Sequence, residues 1–90
     1  MKTVKIFISG RVQGVFFRGF IEKEAKERKL KGFVRNLDDG RIEIVVEGED
    51  RKVNEMVEKC KEGPRHSEIR SVETEPLSNQ GFDSFKVLNI

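Results

Sequence analysis

Along the first part of the chain the apolar residues change period once, and the change falls on a loop that carries glycines. Over residues 3–12 they alternate, with Val4, Ile6 and Ile8 on one face and Lys5, Phe7 and Ser9 on the other, as in a strand buried on one side. Beyond it Phe17, Phe20, Ile21 and Ala25 recur at helical spacing, while Glu22 with Lys26 and Glu24 with Arg28 stand four apart on the outward positions. A strand therefore feeds a helix through residues 10–18, GRVQGVFFR, and this junction demands a fold in which sheet and helix share one core. The helix is expected to end near Lys29, before Gly32. Gly19 weakens its first turn, since a helical glycine costs about 1 kcal/mol relative to alanine.

The remaining elements follow from the same signals. Residues 33–37 and 42–47 flank Asp38, Asp39, Gly40 and Arg41, and an Asp-Gly pair between such runs marks a hairpin of antiparallel strands. Asp50 is the expected N-cap of a second helix, whose stripe of Val53, Met56, Val57 and Cys60 stops at Gly63 and Pro64. Residues 66–75 read as a strand with imperfect alternation, and residues 85–90 as a final short strand after a turn at 78–81. The order is βαββαβ plus a short C-terminal strand. That is the α+β, ferredoxin-like split βαβ pattern: an antiparallel sheet with both helices packed on one face, expected here as a single domain over residues 1–90. The pattern hosts enzymes, RNA binders and regulatory modules alike, so function must come from the residues.

Charged residues make up 38% of the chain and apolar residues 36%, interspersed, for a net charge of +2. Sequence-independent nucleic-acid binding needs a stronger field, so any anion must be recognised locally. The lone Cys60 cannot form an internal disulfide, and no apolar run resembles a signal peptide or membrane span, which makes a cytoplasmic monomer the expectation. Abundant Lys and Glu beside scarce Asn, Gln, Met and Cys hint at heat adaptation.

The loop itself speaks of phosphate. A glycine turn entering a helix aligns backbone N–H groups where the helix dipole favours an anion, and Gly10 and Gly14 let the backbone approach a ligand closely. Arg18 can close such a cradle with a planar, permanently charged fork; without the glycine loop before it, it would read as a surface arginine of the helix. Asn36, before the hairpin turn, is either a turn residue or an amide that faces the same anion and holds a water in line with phosphorus. His66 lacks companions for a metal site, Cys60 belongs to the buried stripe, and Ser9 and Ser67 lack a His and acid arrangement. Asp38 and Asp39 read as turn chemistry. The seven phenylalanines, Phe7, Phe16, Phe17, Phe20, Phe33, Phe82 and Phe85, read as core. An enzyme with so few acids, bases and nucleophiles must rely on positioning and charge stabilisation. Phosphoryl transfer fits if the leaving group needs no proton, as a carboxylate does not.

GRVQGVFFR at 10–18 and GFVRNLDDGRIEIVVEG at 32–48 resemble the two signature motifs of the acylphosphatases, and the likeness extends over essentially the whole chain. The resemblance implies a ferredoxin-like hydrolase of acyl phosphates that uses neither metal nor cofactor. It places the phosphate-binding arginine on Arg18, the loop amides on Gln13, Gly14, Val15, Phe16, Phe17 and Arg18, and the water-orienting asparagine on Asn36. The partner it implies is a small-molecule acyl phosphate, with no nucleic acid and no membrane, and the base it implies is the substrate itself. Ile42 replaces a usual valine, and the tail Leu88-Asn89-Ile90 departs from a common basic ending. Two rivals stand beside this reading. Lys31-Gly32-Phe33 opens like an RNA-binding RNP1 motif but continues with Val34 and Arg35 and falls on the second strand rather than the third. A non-catalytic anion sensor would have kept the cradle without turnover.

Overall fold

The computed structural model describes residues 1–14 and 16–88. Its elements are β1 (Lys2–Arg11), α1 (Phe17–Glu27), β2 (Lys31–Asn36), β3 (Ile42–Gly48), α2 (Asp50–Glu62), β4 (Glu68–Leu77) and β5 (Phe85–Leu88). The strands form one sheet in the order β4-β1-β3-β2-β5. Alternation explains which face the helices cover. Val4 faces Val46, Ile6 faces Ile44 and Ile8 faces Ile42 across β1 and β3, and all six are buried, with Phe17, Ile21 and Ala25 of α1 and Val53, Met56 and Cys60 of α2 in the same core. Burial of a large apolar side chain is worth about 1.5–3 kcal/mol, so this layer is the main favourable term.

The boundaries differ from the sequence reading for local reasons. Helix α1 stops at Glu27 because Lys29 turns left-handed at φ 57°, letting Leu30 N–H reach the Ala25 carbonyl and Lys29 N–H the Lys26 carbonyl. Asp50 is not the N-cap but lies in the first turn of α2, where it favours the helix dipole; Glu49 holds the cap position without a side-chain bond. Gly63, at φ 68°, does close α2 as expected. Strand β4 begins at Glu68 because Ser67 is engaged with the Pro64 carbonyl, and a register shift between Ser9 and Gly10 accounts for its broken alternation.

The expected antiparallel pairing holds among β4, β1, β3 and β2, but β5 runs parallel to β2, so the sheet is mixed. After β4 the chain reverses and crosses the uncovered sheet face to the opposite edge, so it arrives running the same way as β2. Glu47 of β3, buried on that face, holds the crossing. Its carboxylate accepts hydrogen bonds from Gly81 N–H (3.0 Å), Phe82 N–H (3.2 Å), Gln80 N–H and the Thr3 hydroxyl (2.7 Å). Phe82 then packs edge-on against Phe33 with ring centroids 6.0 Å apart. The aromatic that would open an RNA-binding motif is thus engaged by the crossing segment.

The donated bonds, first that of Thr3 and then that of Gln80, hold the Glu47 carboxyl below its ordinary value of 4.5. Because the folded value is the lower one, this stabilisation is complete above the unfolded value and is lost as pH falls through the folded one. Glu47→Gln puts an amide donor against backbone donors and is expected to cost about 2 kcal/mol at neutral pH, a fall in Tm of about 10 °C. In thermal melts, the gap between wild type and variant should narrow below pH 4.5. An unchanged gap there would assign the loss to shape rather than charge.

Candidate active site

Strand β1 ends at Arg11 and the chain turns through Gln13 and Gly14, the latter at φ 77°, before Phe16, also left-handed at φ 61°, opens α1. Phe16 occupies the N-cap without a side-chain capping bond, and no acidic residue lies in the first turn. The backbone N–H groups that every helix leaves unpaired at its start are therefore not capped by a side chain at Phe16 or by a carboxylate of the first turn. Left-handed geometry also swings the Phe16 ring outward, leaving it 91% exposed. It is not a core residue, contrary to the expectation from its apolar character.

Arg18 follows in the first turn of α1, and its Nη1 donates to the Leu88 carbonyl of β5 at 3.3 Å. The crossing segment held by Glu47 thereby delivers a backbone acceptor that aims the guanidinium. Asn36 closes β2 opposite Ile42, in step with Val34 opposite Ile44, so its side chain lies on the helix-bearing side of the sheet. Its Oδ1 is buried and finds no hydrogen-bond partner among the described residues. A buried acceptor without a donor costs about 1–3 kcal/mol, a strain that an entering donor relieves.

These residues meet at one cavity of about 440 Å³, lined by Val12, Gly14, Phe16, Phe17, Arg18, Gly19, Glu22, Asn36 and Val87. Gly14, Phe16, Phe17, Arg18 and Asn36 are thus brought together, and Val15 lies outside the described residues. Gln13 is not in that lining. Its side-chain Nε2 instead donates to the Leu37 carbonyl (2.9 Å) and the Arg41 carbonyl (3.0 Å), across the mouth of the β2-β3 turn. Gly10 does not reach the cavity either. It sits at the bulge where β1 pairs with β4, pressed against Glu68 and Arg70.

Glu22, which pairs with Lys26 at 3.0 Å, and Val87 were not anticipated in the lining. Glu22 was within reach of sequence reasoning, standing four residues after Arg18 on the same helix face; Val87 was not, because its place depends on the parallel pairing of β5 with β2. Away from the cavity, Cys60 is buried and its thiol is pushed up to about 12 by that burial, leaving no thiolate to attack. The Arg41 backbone N–H and then its guanidinium hold the exposed Asp39 carboxyl below its ordinary range, as turn chemistry requires. Among the described residues no His, Cys, Asp and Glu cluster of metal-binding shape occurs, and no helix is long and apolar enough to cross a membrane.

A cationic fork, uncapped helix N–H groups and an amide oxygen without a partner among the described residues, around one opening, can hold a tetrahedral anion and a water molecule beside it. Comparison with known proteins places the chain in context. The acylphosphatase family model matches residues 4–87. Curated proteins named acylphosphatase include one from Rubrobacter xylanophilus, 50% identical over 86 residues that cover 91% of this chain and 78% of that protein. Another from Haloarcula marismortui is 46% identical over 82 residues, covering 91% and 90% respectively. The crystal structure of acylphosphatase from Bacillus subtilis superposes with a TM-score of 0.96 at 39% identity, covering 99% of this chain and 100% of that one. The chain belongs to the acylphosphatase family.

Proposed function

We propose that this enzyme hydrolyses the carboxyl-phosphate bond of small acyl phosphates by in-line attack of water, without metal or cofactor. Arg18 and the backbone N–H groups of residues 13–18 hold the phosphoryl oxygens. Asn36 accepts a hydrogen bond from the attacking water through Oδ1 and sets its oxygen opposite the leaving group. As the water oxygen bonds to phosphorus, the phosphorus–oxygen bond to the acyl group breaks and its electron pair leaves on a carboxylate, which needs no general acid. The water proton passes to a phosphoryl oxygen of the substrate, yielding carboxylate and inorganic phosphate. The observation that carries this reading is the buried Asn36 Oδ1, without a partner among the described residues, beside the cavity that Asn36 and Arg18 line.

Residues 1–90 act in this scheme as one domain, a cytoplasmic monomer working on a free small molecule, with no nucleic acid or membrane partner. The test is hydrolysis of benzoyl and acetyl phosphate by the purified protein in excess EDTA. We expect turnover to persist there, and Asn36→Ala to lose on the order of 10²-fold in kcat with a smaller change in KM. Activity abolished by EDTA and restored by a divalent ion would overturn metal independence. Wild-type kcat in a folded Asn36→Ala protein would remove the water-positioning step.

A further inference from the structure

We propose that the Gln13 side chain is a positioning residue, a two-pronged staple that fixes Asn36 relative to the phosphate loop; the proposal rests on the reading of Asn36 given above. A primary amide carries two N–H donors in one plane. Gln13 spends both on backbone, one on the Leu37 carbonyl and one on the Arg41 carbonyl. Those carbonyls stand on opposite sides of the turn mouth, and each already accepts one bond within the hairpin: Leu37 from Gly40 N–H at 3.1 Å, Arg41 from Leu37 N–H at 2.8 Å. The amide therefore fills the remaining acceptor capacity of both and locks the mouth shut.

Leu37 directly follows Asn36, whose pairing with Ile42 is the last rung of the β2-β3 ladder. A shift of the Leu37 peptide would rotate Asn36, and Oδ1 has no bond among the described residues to resist it. What restrains Asn36 is backbone, and Gln13 ties that backbone to the loop. The staple also starts from the loop itself, next to Gly14, which lines the cavity. Loop and hairpin are thus tied directly, without routing through β1 and β3. Other side chains fail for chemical reasons: asparagine is one methylene shorter, glutamate would face two carbonyl oxygens with no donor, and lysine lacks the planar pair of N–H groups.

The test compares Gln13→Ala, Gln13→Glu, Asn36→Ala and the Gln13→Ala/Asn36→Ala double variant on benzoyl phosphate, with the side-chain amide resonances of Asn36 followed in 1H-15N spectra. We expect both Gln13 variants to lose about 10- to 100-fold in kcat with KM within about threefold, as for a misplaced nucleophile. In the double variant, Gln13→Ala should add less than about threefold to the loss from Asn36→Ala, because the two act through one step. The Asn36 resonances should move in both Gln13 variants. Unchanged kcat, fully multiplying losses, or a rise in KM alone would overturn the staple, the last by making Gln13 a phosphate ligand. If Asn36→Ala itself proves harmless, the water-positioning reading falls, and the resonances still decide: shifted peaks uphold the staple, unmoved peaks overturn it.

Discussion

Arg18→Ala is expected to lower kcat/KM for acyl phosphates by on the order of 10³-fold while the protein stays folded, because the arginine supplies the fixed positive charge that holds the phosphoryl group. Among its bonds the side chain gives up the one to the Leu88 carbonyl at 3.3 Å, worth about 1–3 kcal/mol for a charged donor. Inorganic phosphate gives a second readout independent of turnover, since a ligand that binds only the folded state raises Tm with its concentration. That rise should appear in wild type and vanish in Arg18→Ala. Arg18→Lys separates charge from shape. An ammonium cannot hold the Leu88 carbonyl with one nitrogen and present a planar pair of donors with the others, so a loss on the order of 10²-fold is expected despite the retained charge. Wild-type rates in folded Arg18→Ala would sink the mechanism, and full activity in Arg18→Lys would show that a point charge suffices.

How legible each part was in the sequence follows how local its cause is. The α2 stripe and the Asp-Gly hairpin could be read directly, because a period and a turn are set by neighbours. The parallel β5 could not, since its direction depends on a crossing segment tied to Glu47 more than 30 residues earlier in the chain. Arg18 stood out as a fork at the end of a glycine loop, whereas Asn36 was ambiguous until the ladder register put it on the helix-bearing side with Val34. Gln13 illustrates the limit. Its position in the loop suggests a backbone role beside phosphate; its side-chain amide bonds carbonyls 24 and 28 residues away, which no spacing rule reveals. The apolar character of Phe16 points to the core, and the left-handed N-cap overrides that preference.

The two glycines of the loop should part company under substitution, although they look alike in GRVQG. A Cβ on Gly10 would lie 2.1 Å from the Glu68 carbonyl oxygen and 2.7 Å from the Arg70 nitrogen, at a backbone φ of 129°. Both obstacles are main chain of β4, so relief requires breaking the β1-β4 pairing at its bulge. Gly10→Ala is therefore expected to cost about 3–5 kcal/mol, a fall in Tm of at least about 15 °C in a chain of this size. At Gly14 the φ is 77° but nothing stands within 4 Å of an added Cβ, so only the left-handed penalty of about 1–2 kcal/mol applies. Its methyl group would, however, stand where the cavity is lined. Gly14→Ala should then keep most of its stability and lose phosphate affinity, seen as a raised KM and a weaker phosphate-induced rise in Tm. Gly10→Ala should show the opposite, a low Tm with near-normal KM in whatever fraction stays folded at low temperature. If Gly10→Ala melted like wild type, the close approach to β4 would not be what holds the start of the loop.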